Sequence, residues 1–170
     1  MTSELKTRWP VAVLAISAGV AAAAAIGKVP PALELLRREY SLSLVYGGWI
    51  ISIFSALALA TGAGFGTLAD RIGPRRMLLA GLWVLAGAGL TAVLVSAPLA
   101  LLLTRVLEGA GFLAVAVAAP GIIITASAPQ DRSWSLGLWS VYVPAGVSLA
   151  MVTATLVLDG LGWRGLWIIF

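Results

Sequence analysis

Five stretches of this chain, 9–27, 40–69, 77–104, 109–130 and 133–158, contain no charged residue. A helix needs about 20 mostly apolar residues to cross a hydrocarbon core of roughly 30 Å, so each stretch reads as one membrane span. A further apolar segment, 163–170, carries Trp, Leu, Ile and Phe and then stops. It is too short to cross a bilayer, so the expectation is five complete spans plus the start of a sixth, in a chain truncated within that sixth helix.

Composition supports the same class. Hydrophobic residues make up 61% and charged residues 11%, against about 45–50% and about 25% in ordinary soluble domains, which argues against a soluble enzyme. The net charge of +4 comes from short clusters between apolar runs, a pattern that suggests membrane topology and no nucleic-acid partner. Cys and His are both absent. That removes disulfides, thiolate nucleophiles, Ser-His hydrolysis and nearly all transition-metal sites, so no catalytic residue, no metal site and no cofactor are expected.

The expected fold is an all-α polytopic transmembrane helix bundle with approximate spans 9–29, 44–66, 77–95, 99–126, 134–158 and a partial 163–170. Pro10 suits the first turn of span one, and Pro30 and Pro31 are expected to end it. The polar segment 34–43 then returns the chain to span two. Ser96, Ala97 and Pro98 leave room only for an antiparallel return between spans three and four, and 159–164 is the turn after span five. A cleaved signal peptide over residues 1–27 is the rival reading of span one, with Lys6 and Arg8 ahead of an apolar run that ends in alanines.

With the amino terminus cytoplasmic, Lys6, Arg8, Arg71, Arg75, Arg76 and Arg132 lie inside, and Lys28, Arg37, Arg38 and Arg164 lie outside. Six against four supports that orientation through the cluster at Arg71. Gly62, Gly66, Gly81, Gly89, Gly109 and Gly111 fall within spans, where small residues let helices approach closely. No strand or Lys-Ser/Thr context accompanies them, so they do not make a phosphate cradle.

The most specific motif is Gly66-Thr67-Leu68-Ala69-Asp70-Arg71-Ile72-Gly73-Pro74-Arg75-Arg76, placed in a short loop between spans two and three. Gly73 permits a tight turn, Asp70 is an acceptor for basic groups, and the arginines sit at the level of lipid phosphates. The segment resembles the signature loop of the major facilitator superfamily, G-x-L-a-D-R-x-G-x-R-R, with Pro74 in a variable slot. The resemblance extends along the chain to Asp131-Arg132 before span five and to Gly162-Trp163-Arg164. It implies the amino-terminal half of a secondary transporter in the cell's inner (plasma) membrane, with a small-molecule solute, the lipid bilayer and a carboxy-terminal half as partners. It also implies that Gly66, Asp70, Arg71, Gly73, Arg75 and Arg76 form a conformational latch.

Span four carries a second match. Leu101, Arg105, Glu108, Gly109 and Gly111 resemble the family pattern l-x-x-x-R-x-x-q-G-x-g, with Glu108 where Gln is more usual. Arg105 and Glu108 are three apart on one helical face and can pair. Two readings stay open: the charges neutralise one another, or Arg105 attracts an anionic solute or tunes Glu108 as a site for a coupled proton. In span five, residues 137–146 are similar to the cyanate and nitroimidazole permease branch. Pro144 is expected to free a backbone carbonyl mid-helix, and Tyr142 and Trp139 are candidates to line the cavity, with lipid or core packing as their alternative. The expected function is transport of a small solute by alternating access. The alternative is a non-transporting membrane scaffold or assembly partner derived from a transporter half.

Overall fold

The computed structural model describes residues 6–170, all helices and connections. Among the described residues, seven α-helices form five hydrophobic columns, each long and apolar enough to cross a membrane. Column one is α1 (Trp9–Gly27) followed by α2 (Val29–Tyr40); α3 (Leu44–Ile72), α4 (Pro74–Leu94) and α5 (Pro98–Ala126) follow in turn. After a 3-10 turn, α6 (Arg132–Trp139) and α7 (Tyr142–Ile169) make the last column. Successive columns run antiparallel. One end of the bundle, the Asp70 face, collects Trp9, Ile72, Pro74 and Ala126; the other, the Glu39 face, collects Tyr40, Leu94 and Pro98.

Pro30 and Pro31 do not end the first helical column. Lys28, the joint between α1 and α2, keeps helical dihedrals (φ −69°, ψ −19°), and its N–H donates to the Ala24 carbonyl at 3.0 Å. The two prolines occupy the first turn of α2, where a missing N–H costs little, so the column continues past them. The expected return segment 34–43 is therefore mostly helix. Val29, Ala32 and Leu36 are buried on one side of α2, while on its exposed side Glu34 accepts from Arg38 at 2.8 Å and from Arg37 at 3.2 Å. The turn comes at Ser41, in the left-handed region (φ 52°). Ser43 then caps α3, its hydroxyl accepting from the Tyr46 N–H at 3.1 Å.

Two other turns are tighter than expected. Between α3 and α4 a single residue, Gly73, reverses the chain at φ 87°, where a side chain would be strained, and Pro74 starts α4 at once. Asp70 and Arg71 thus lie on the end of α3, and Arg75 and Arg76 on the first turn of α4, instead of in a loop. The expected turn at 159–164 is likewise helical apart from Gly162 (φ 63°, ψ −170°), which breaks α7 and redirects residues 163–169. The last column is also interrupted at Ser140 and Val141. Pro144 lies four residues beyond Ser140 and has no N–H to offer its carbonyl, which accounts for the interruption there.

Close backbone contact holds the columns together. A Cβ at Gly81 would lie 2.7 Å from the Gly111 carbonyl, and one at Gly146 would lie 2.4 Å from the Val20 carbonyl, so α4 meets α5 and α1 meets α7 where a side chain is missing. Gly62 and Gly66 behave otherwise. A Cβ at either meets nothing within 4 Å, so they do not serve the packing expected of them among the described residues.

Candidate functional site

Span four brings Arg105 and Glu108 to the same side of α5, where the two side chains pair, Arg105 Nη1 donating to Glu108 Oε2. They are 1% and 0% exposed. The pair has a third member. Lys28, expected outside the membrane, is fully buried, and its Nζ lies 2.9 Å from Glu108 Oε1. This corrects the sequence reading, and the reason is the continuity of α1 into α2: without a turn at Pro30, Lys28 stays inside the bundle, facing α5. Its ammonium also sits 4.8 Å from the ring centre of Trp167, on the segment after Gly162. Gly89 of α4 leaves space beside the group, since a Cβ there would lie 3.4 Å from Glu108 Oε1 and 3.5 Å from Lys28 Nζ.

Two cations face one carboxylate, so the enclosed cluster carries a formal surplus of one positive charge. Charges taken out of water are tolerated only when paired and hydrogen-bonded, and here the pairing is incomplete. The Nε of Arg105 and the indole Nε1 of Trp167 are buried without a hydrogen-bond partner among the described residues. The arrangement places two cations against the one carboxylate and leaves unused donors inside the cluster.

Tyr142 and Pro144 do not join this cluster. Tyr142 belongs to an aromatic row that crosses four helices. It stacks on Trp139 of α6 with ring centres 3.9 Å apart and planes 13° apart. On its other side lies Phe112 of α5 at 6.4 Å, which meets Phe54 of α3 edge-on at 6.1 Å. Gly19 of α1 lets Trp139 lie close, because a Cβ there would be 2.4 Å from its ring. All four aromatic side chains are only partly buried. Pro144 is exposed, and what it contributes is the break ahead of α7.

The signature segment lies apart from both groups, on the Asp70 face. Asp70, Arg71, Arg75 and Arg76 are exposed, and none forms an ion pair among the described residues. At the opposite face is a constellation that sequence reasoning missed. Glu39 accepts from the Trp163 indole N–H at 2.6 Å and pairs with Arg164 at 2.7 Å, while Arg164 lies 4.4 Å over the Trp163 ring. Tyr40 donates to the Val95 carbonyl at 2.8 Å. The missed sequence signal was the amphipathic pattern of 29–40, which extends the first helix and delivers Lys28 and Glu39 to fixed places.

Comparison with known families matches residues 11–170 to the Major Facilitator Superfamily, nearly the whole chain and all five columns. The chain belongs to the Major Facilitator Superfamily. Its members are transporters, so the protein is a multi-pass membrane transporter of major facilitator type and not an enzyme. The match is to the superfamily as a whole. Comparison with curated proteins gave no match, and comparison with solved structures gave none.

Proposed function

We propose that this major facilitator chain moves a small anionic solute by alternating access, as one half of a transporter whose opposing wall is a second helical half. The observation that carries the reading is the cluster of Lys28, Arg105 and Glu108, in which two cations share one carboxylate inside the bundle. A surplus charge in a low-dielectric interior projects a positive potential far more strongly than it would in water, and so favours a negative solute nearby. Glu108 is the group through which a proton would couple to movement: when it is protonated, both cations lose their partner, and the cluster must rearrange or take up an anion. Rocking of one half against the other then exposes the site to each side in turn. In this reading the Asp70 face is cytoplasmic in the inner (plasma) membrane, and Gly66, Asp70, Arg71, Gly73, Arg75 and Arg76 serve as the latch between the halves.

The test is uptake by the assembled transporter in proteoliposomes, with small radiolabelled monocarboxylates and an imposed pH gradient. Wild type should accumulate solute against its gradient, and Glu108→Gln should exchange solute but fail to accumulate it. Accumulation undiminished in Glu108→Gln would remove the coupling role. Equal uptake of cationic and anionic solutes would remove the charge preference.

A further inference from the structure

Lys28 carries its charge on a long, flexible stem, and among the described residues its ammonium makes no hydrogen bond. Two contacts keep it in place: the charge of Glu108 Oε1 at 2.9 Å, and the ring of Trp167, whose centre lies 4.8 Å from Nζ. Trp167 is 1% exposed, on the short helical piece after Gly162. Its indole N–H is buried without a hydrogen-bond partner among the described residues. A side chain needed there only to fill space would do better as Phe or Leu, which bury no donor. Trp offers the best aromatic face to a cation, and a cation is what its ring meets here.

The place of that ring is itself fixed from both neighbouring columns. On the α2 side Glu39 takes the Trp163 indole N–H and the Arg164 guanidinium. On the α4 side Arg164 Nε donates to the Val93 carbonyl at 3.2 Å, in the last turn of α4, where carbonyls have no partner in their own helix. Gly89 lets the same piece lie close to α4, since a Cβ there would be 3.8 Å from the Trp167 carbonyl.

We propose that Trp167 is a positioning residue of the transport site: its ring holds the Lys28 ammonium against Glu108, and the Glu39–Trp163–Arg164 group fixes where that ring stands. The inference rests on the transport reading above and adds to it a residue that acts through Lys28. Without the ring, Lys28 keeps a single contact, and the surplus positive charge is no longer held at one point.

The experiment replaces Trp167 in the assembled transporter by mono-, di- and trifluorotryptophan, which withdraw electrons from the ring face while keeping its shape. Uptake of radiolabelled acetate and lactate into proteoliposomes under an imposed pH gradient should fall stepwise along the series, about fivefold in all, and the melting temperature should fall with it. In a Lys28→Met background the melting temperature should stay level along the series, because no cation faces the ring. Trp167→Phe should retain part of the uptake that Trp167→Leu loses. A merely structural ring would show no step with fluorination in either background. Level uptake along the series, or equal melting-temperature steps with and without Lys28, would overturn the proposal and leave the transport reading intact. No uptake of either anion by the wild type would overturn both.

Discussion

Lys28 and Glu108 lie 80 positions apart in sequence and meet at 2.9 Å with both side chains fully enclosed. Because Arg105 shares the same carboxylate, the three possible single removals are unequal. Glu108→Gln leaves two facing cations and should be the worst, destabilising by about 3–5 kcal/mol, as expected when a buried pair loses one partner. Lys28→Met leaves a balanced Arg105–Glu108 pair and should be the mildest. Thermal unfolding of purified variants in detergent gives the order, and a Lys28→Met protein less stable than Glu108→Gln would contradict the three-member cluster.

Helix contacts give a second contrast. Gly146→Ala drives a methyl into the Val20 carbonyl region and should cost about 1–3 kcal/mol as an overpacked contact. Gly62→Ala meets open space and should be neutral or slightly stabilising through better helix propensity. Melting temperatures of the two variants test this, and equal destabilisation would mean that α3 is packed on its Gly62 side.

The two ends of the bundle should be reachable from opposite sides of the membrane. The chain contains no native Cys, so a single introduced thiol has no background. Ser133→Cys, near the Asp70 face, should react with an impermeant maleimide only from the cytoplasm, and Ser43→Cys only from outside. The reverse pattern would invert the orientation proposed here.

Asp70→Asn should slow turnover several-fold while leaving solute binding nearly unchanged, because Asp70 is exposed at one end of the bundle and touches neither the charge cluster nor the aromatic row. Parallel measurement of binding and of counterflow separates the two effects. Wild-type turnover in this variant would remove Asp70 from the latch.

The apolar columns were legible because an uncharged run of membrane length has few other uses. The joints between them were not. A proline pair after an apolar run reads equally well as a stop or as the first turn of a new helix, and only the amphipathic pattern after Pro31 decides between them. Reading it as a stop placed Lys28 outside and hid the third member of the cluster. Arg105 and Glu108 were found because their three-residue spacing is itself a contact on a helix. The aromatic row has no such local signature: Phe54, Phe112, Trp139 and Tyr142 come from four helices, and only their packing brings them together.

The single-residue break at Gly162 sets the mechanics of the Glu39 face. Beyond it, Trp163 and Trp167 stand one turn apart with rings in edge contact at 5.3 Å. Trp167 holds Lys28 at the start of α2, and Trp163 holds Glu39 near its end. Both ends of α2 are thus riveted to one short piece of helix, and the two form a crank whose pivots are the Lys28 joint and Gly162. Such a crank cannot turn at one end alone. A rearrangement that frees Lys28 from Glu108 therefore either gives up the cation–π contact with Trp167 or moves the segment that also carries Trp163 and Arg164.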